Sequence, residues 1–329
     1  RRRPAALLTA ARRQVRTLTT TDELESLLLR ATAPTDEPLA PAHVAAVLGA
    51  LASFVRSEDV DSPANPYRRL LHRLWTKLAE RDWRTRFKAL ALLHCVLARA
   101  PPLDGAILRD AVAAMSRQPC GPTRCRYFSP GRLSVYDASP RAAFFSAYAA
   151  YVLRRARAFT SDLEELRVVA GRASTLRTED VVAQLLKARK LLEAAGACRF
   201  PGGEDSALVA GCLELLLRDM RELLLLYGDC LRAVEASGAE LFQGWGREDV
   251  RVLMTLFNSF YNQRYRALRR RLERGAARLA RDFGRRVPTS MAGGGALLLG
   301  DVGPRLGEEG GGEDLDLDFL LRAGSPGEL

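Results

Sequence analysis

Apolar residues recur along this chain every three or four positions, with polar residues between them, over segments longer than ten residues. That period belongs to amphipathic helices rather than strands. "TTTDELESLLLRATAP" sets Leu24, Leu27 and Leu28 on one face, with Thr20 and Glu23 in capping-box spacing, and predicts a short helix ending near Pro34. "PAHVAAVLGALASFV" starts with Pro41 at a first-turn position and predicts a second helix to about Val55. "NPYRRLLHRLWTKLAER" repeats the pattern, with Asn65 as cap and Pro66 behind it. "DWRTRFKALALLHCVLARA" predicts a fourth helix stopped by Pro101 and Pro102, and "LDGAILRDAVAAM" a fifth. The Gly- and Pro-rich stretch from Ser116 to Asp137 reads as irregular. "SPRAAFFSAYAAYVLRRARAF" then predicts a long helix with Phe144, Phe145, Tyr148 and Tyr151 inside. Its Arg154, Arg155 and Arg157 lie near the C-terminal end, where cations suit the helix dipole. Three longer helices are predicted over 178–195, 205–235 and 238–283. A hairpin near Ser237 and Gly238 joins the last two, and Gly244 and Gly246 are expected to kink the final one.

Composition points the same way. The 329 residues are 47% hydrophobic but only 7% aromatic, which allows a real core built from Leu and Ala. The class expected is all-α. No apolar run reaches the ~18 residues of a membrane-spanning helix. The six cysteines (Cys95, Cys120, Cys125, Cys198, Cys212, Cys230) are scattered, a pattern suited to reduced thiols in a cytosolic protein. Cys120 and Cys125 have C-x4-C spacing with no second Cys/His pair to complete a zinc site.

Charge divides the chain into three parts. Residues 1–21 contain no acid and several arginines, which reads as a solvated or lipid-facing basic arm or as an organelle transit peptide. Residues 293–329 carry eight acids against two bases, leaving +17 on residues 1–292 of the total +11. The expected organisation is therefore a basic arm over 1–21, a helical domain over 22–288 and a flexible, Gly-rich acidic tail over 289–329. A basic body suits an acidic partner such as a phosphoinositide membrane, nucleic acid or an acidic protein segment. Of the fifty basic residues only Lys77, Lys88, Lys187 and Lys190 are lysines, a skew that GC-rich coding would also produce.

Enzyme signatures are absent: there is no G-x-x-x-x-G-K-[ST], H-E-x-x-H or G-x-S-x-G, and His43, His72 and His94 are too few and too separated for a metal cluster. The expectation is a binding protein without cofactor or metal.

Trp83, Lys88, Leu90 and His94 form W-x4-K-x-L-x3-H on the fourth helix. This resembles the ANTH domain, the N-terminal module of clathrin-assembly adaptors. "LLRATAPTDEPLAPAHV" is similar to that family's first membrane-facing segment, in which a basic residue precedes Ala-Thr and a His stands thirteen positions on; here these are Arg30, Ala31, Thr32 and His43. "LLLLYGDCLRAVEASGAELFQ" and "REDVRVLMTLFNSFYNQRYRALRRRLERGAARL" look like the family's long C-terminal helices, so the resemblance runs from about residue 5 to 288.

The resemblance implies a right-handed superhelix of about nine to ten helices, of ANTH/ENTH type, with long antiparallel C-terminal helices. It also implies an activity: binding phosphatidylinositol 4,5-bisphosphate through a basic surface patch as a cytoplasmic, peripheral membrane adaptor of clathrin-coated vesicles or pits, with SNARE proteins as cargo. Carried over, the lipid site takes Arg30 and His43. The family's two lysines are replaced by Ala40 and Ala42, with Pro41 between them. At about 1 kcal/mol for each membrane-facing base, that loss lowers the expected lipid affinity more than tenfold. Arg12, Arg13 and Arg16 are candidates to compensate. Trp83, Lys88 and His94 read as scaffold: the Trp packing between neighbours, the Lys snorkelling along its stem, the His donating to a carbonyl.

In the tail, "EDLDLDFLLRAG" resembles a clathrin-box peptide through Leu315, Leu317, Asp318 and Phe319, with Asp314 in place of the usual leading Leu. The same segment also reads as an acidic peptide that folds back on the basic domain. Two alternatives to the lipid adaptor stand beside it: a helical-repeat protein binding nucleic acid, against which the lack of periodic aromatic and basic interleaving weighs, and a scaffold whose lipid site has degenerated.

Overall fold

A computed structural model describes residues 23–53, 65–120, 125–129, 133, 139–237, 241–242 and 245–289. These residues are all-helical apart from one two-residue ladder. In chain order the helices are α1 (23–31), α2 (Pro41–Ala52), α3 (Pro66–Leu78), α4 (Trp83–Arg99), α5 (Pro102–Arg117), α6 (Pro140–Ala158), α7 (Glu164–Arg172), α8 (Thr178–Ala197), α9 (Ala207–Ala236), α10 (Arg247–Phe260) and α11 (Arg266–Phe283). A single π-helical turn, Tyr261–Tyr265, joins the last two. Strands β1 (Pro119–Cys120) and β2 (Cys125–Arg126) pair antiparallel with Cys120 opposite Cys125.

The starts are set by the residues the pattern singled out. Asn65 Oδ1 accepts from the backbone N–H of Tyr67 and Arg68 at 3.0 and 3.2 Å, and Pro66 follows where its missing N–H costs nothing. Ser139 accepts from Ala142 N at the start of α6. Three expectations are corrected. Helix α7 was missed because nine residues with a mixed composition give little periodic signal. Gly246 begins a helix rather than kinking one: its carbonyl accepts from Val250 N, and α10 starts at Arg247. The fifth helix continues to Arg117, so Ser116 is helical.

The described residues divide into two compact units. The first combines residues 23–164, 193–219 and 273–288. Within it α4 packs against α2, α3, α5 and α6. Ala89, Leu90, Leu92, Leu93 and Val96 are sealed from water, because the middle of α4 is enclosed by its neighbours on every side. At ~1.5–3 kcal/mol for each fully buried large aliphatic side chain, this helix is a main source of the unit's stability. Helix α5 passes so close to the turn at Ser161 that a Cβ on Gly105 would stand 2.7 Å from Ser161 Oγ.

The second unit combines residues 165–192 and 220–272. Its core includes an edge-to-face pair of Tyr227 and Phe260 at 5.5 Å, with Arg189 lying 5.2 Å over the Phe260 ring. Thr178 donates its hydroxyl to the Leu241 carbonyl, and the Cys230 thiol reaches the Leu166 carbonyl at 3.2 Å.

Candidate functional site

Helix α4 opens with Asp82, whose Oδ1 accepts from Arg84 N and Thr85 N at 2.9 and 3.1 Å. This cap places Trp83 at the first helical position. The half-buried indole meets Phe87 edge-on and has the guanidinium carbons of Arg84 and Arg141 at 4.9 and 4.2 Å from its ring centre. Arg141 in turn forks onto Glu204 through two bonds of 2.8 Å. The Trp ring thus packs against Phe87 between two guanidinium groups.

Five residues on, Lys88 is only 5% exposed, and its Nζ donates to Thr35 Oγ1 at 2.5 Å. Burial lowers the ammonium pKa, opposed by the charges of Glu37 and Asp36. Thr35 lies in the connection between α1 and α2, whose next residue, Asp36, accepts from Ser206 Oγ at 2.9 Å. Thr32 closes the end of α1 by donating to the Leu28 carbonyl at 2.7 Å. Three side-chain bonds thus fix the course of this connection from within. Lys88 does not snorkel to water but ends on the loop.

Arg30 and His43 flank the same connection. Arg30 is exposed on the last turn of α1, beside Leu29, which is 53% exposed. No acid pairs with Arg30 among the described residues. His43 is half-buried on the first turn of α2, where Ala40 supplies no side-chain cap. No hydrogen bond joins Arg30 to His43 among the described residues. Arg12, Arg13, Arg16, Leu315, Leu317, Asp318 and Phe319 lie outside the described residues.

His94 faces the opposite way, into a buried polar cluster between α4, α6 and the first half of α9. Its Nε2 stands 3.1 Å from Asp219 Oδ2 and its Nδ1 2.8 Å from the Tyr148 hydroxyl. An ionised carboxylate can only accept, so Nε2 carries the proton and donates. Tyr151 donates its hydroxyl to the same Asp219 oxygen. The Arg155 Nε lies 3.5 Å from that oxygen and Nη1 donates to the carbonyls of Phe159 and Thr160 at 3.2 and 2.8 Å. Burial pushes the Asp219 pKa up, but the Arg155 charge and the bonds from His94 and Tyr151 outweigh it and hold the carboxyl well below its usual range. Burial, followed by the Asp219 charge, raises the Tyr151 phenol well above its ordinary value.

No family model matches the chain, and no curated protein does. Among solved structures, the ENTH domain of epsin-2 in complex with phosphatidylinositol 4,5-bisphosphate is similar at 16% identity and a TM-score of 0.46, over 80% of this chain and 94% of that one.

Sequence reasoning missed the partners. His94 was expected to donate to a carbonyl; it meets a carboxylate 125 residues away. Arg155, read with Arg154 and Arg157 as a cation near the C-terminal end of α6, is 1% exposed. The available signal was Asp219 itself, an acid on the α9 stripe that also carries Leu216, Met220 and Leu223, all buried. A charge on the buried stripe demands an opposite charge. Cys120, half of the C-x4-C pair, accepts from the Trp75 indole at 3.2 Å.

Proposed function

We propose that this chain is a peripheral adaptor that docks on an anionic, phosphoinositide-bearing membrane through the α1–α2 corner. One observation carries the reading: Arg30, on the last turn of α1, is an exposed cation that pairs with no acid among the described residues, next to a connection fixed from inside by Lys88 and Ser206. A cation held on a rigid support loses little entropy when it meets a phosphate, and an unpaired one need not first break an ion pair. The order of W-x4-K-x-L-x3-H after Arg30 and His43 supports the same reading. Clathrin, met by the tail through Leu315, Leu317 and Phe319, and a SNARE helix, met by the long C-terminal helices, complete the adaptor. Its expected setting is the cytoplasmic face of coated vesicles or pits, and it performs no chemistry.

Vesicle sedimentation tests the proposal. The full chain is expected to pellet with vesicles containing phosphatidylinositol 4,5-bisphosphate and to stay in solution with neutral phosphatidylcholine. Ala40 and Ala42 favour a second reading, a scaffold with a degenerate lipid site. Equal pelleting on both vesicles, or none on either, would select it.

A further inference from the structure

Below the α1–α2 connection lies a cleft of about 590 Å³, formed entirely within the first unit. Its floor is apolar: Pro38, Leu39 and Val44 on one side, Ala91 on α4, and Leu208 and Leu215 on α9. Gly211 lets the walls approach, since a Cβ there would stand 3.1 Å from Pro38 Cβ. Arg99, Arg218 and Arg285 also line it, with Glu37 and Glu214. Glu214 holds Arg218 and Arg285 apart in fixed positions, accepting from them at 2.7 and 2.6 Å. Arg99 is exposed and pairs with no acid among the described residues.

Three arginines against two glutamates leave one net positive charge. That is too little for a bisphosphate headgroup, where several cations must converge. It suits an occupant that brings mainly apolar side chains to the floor and a single carboxylate to Arg99. The chain carries such a segment: Glu313–Leu321 alternates Asp with Leu, then closes with Phe319, Leu320 and Leu321, and holds no base. The described residues end at Thr289, four positions after Arg285 on the cleft.

We propose that this cleft is the docking site of the chain's own acidic segment, Glu313–Leu321. Its leucines and Phe319 cover the apolar floor, and one of its aspartates faces Arg99. Twenty-three residues separate Thr289 from Glu313, nine of them glycine. A Gly-rich chain of that length has an r.m.s. span of about 27 Å, ample to return to the cleft from its own anchor. Such a tether gives an effective concentration on the order of 1 mM, so an affinity of roughly 100 μM for the free peptide would keep the cleft about 90% occupied. The proposal does not rest on membrane binding. If both hold, the docked segment hides its own clathrin-box residues and lies against the connection that follows Arg30.

The experiment uses the full chain and a full-length variant with Leu315→Ser, Leu317→Ser and Phe319→Ser, which leaves every described residue in place. Hydrogen exchange is expected to be slower in the wild type over 36–44, 91–99 and 208–218, independently of protein concentration, with the wild type melting slightly higher than the variant. A labelled peptide of residues 313–322 should bind the variant at least fivefold more tightly than the wild type, whose cleft is filled, and Arg99→Glu in the variant should weaken that binding. Identical exchange in both chains, or equal peptide binding to both, would overturn the proposal. Protection that grows with concentration would assign the cleft to a second copy, and peptide-insensitive filling by anionic vesicles would assign it to lipid; either overturns docking of the chain's own segment.

Discussion

Lys88 and His94 sit six residues apart on one buried helix, and the structure uses them in opposite ways. His94 joins a buried cluster in which Asp219 takes bonds from His94 and Tyr151 and pairs with the Arg155 charge, away from water. Lys88 donates to Thr35 and so braces the connection that follows Arg30, an exposed cation on the last turn of α1. The first arrangement spends its charges on one another and has none to offer a ligand. The second puts the bracing charge inside and leaves the free one outside. A polar residue in an apolar run therefore says that a partner exists, and only the partner tells structure from function.

The contrast breaks most visibly at Asp219. Asp219→Asn leaves Arg155 buried without a countercharge, and losing one member of a buried pair typically costs about 3–5 kcal/mol. Chemical denaturation should show that loss, while Arg30→Ala, in the open corner, should not shift the midpoint. A variant with Asp219→Asn as stable as the wild type would mean the cluster contributes nothing net.

Acid sharpens the comparison next. The folded-state pKa of Asp219 lies below its unfolded value of about 4, so its stabilising share is fully present above that value and fades as pH falls toward the folded pKa. Wild type should lose stability more steeply than the Asp219→Asn variant below about pH 4, and the gap between them should narrow. Burial raises the Cys95 and Cys230 thiols to about 11 and about 12, so neither titrates within that window.

Lys88→Met is expected to have an intermediate effect. The side chain keeps its length and its packing but loses the bond to Thr35, which should cost about 1–2 kcal/mol. Exchange of amides in 33–40 should quicken while the His94 cluster stays protected. Quickening in both places would mean that the two ends of α4 are one cooperative unit rather than two.

How far the sequence carried this reading differs between the two ends. Helix starts were legible because Asn65, Ser139 and Pro66 act locally, through atoms two or three residues away. The polar interruptions of α4 were legible as anomalies of period. Their partners were not: Thr35 is 53 residues from Lys88, and Asp219 is 125 from His94, distances over which a single sequence shows no covariation between the two. The cleft was invisible for the same reason, since Arg99, Arg218 and Arg285 come from three separate segments. Helix α7 escaped because nine residues span too few turns to display a stripe.

The smallest change in stability should accompany the change that matters most for the proposed role. Arg30 is exposed, so Arg30→Ala with His43→Ala should alter unfolding by no more than about 0.5 kcal/mol. Loss of the arginine alone removes about 1 kcal/mol of attraction to an anionic leaflet, roughly fivefold in vesicle affinity, and the effect should shrink as salt rises. The measurement is sedimentation with phosphoinositide vesicles at two ionic strengths, with Lys88→Met alongside. If the bracing charge serves the exposed one, Lys88→Met should also weaken pelleting even though its own ammonium never reaches the lipid. If Lys88→Met leaves pelleting unchanged while Arg30→Ala weakens it, the corner works without its brace and the division of labour along α4 is incidental. If neither changes it, the membrane contact lies elsewhere on the basic surface.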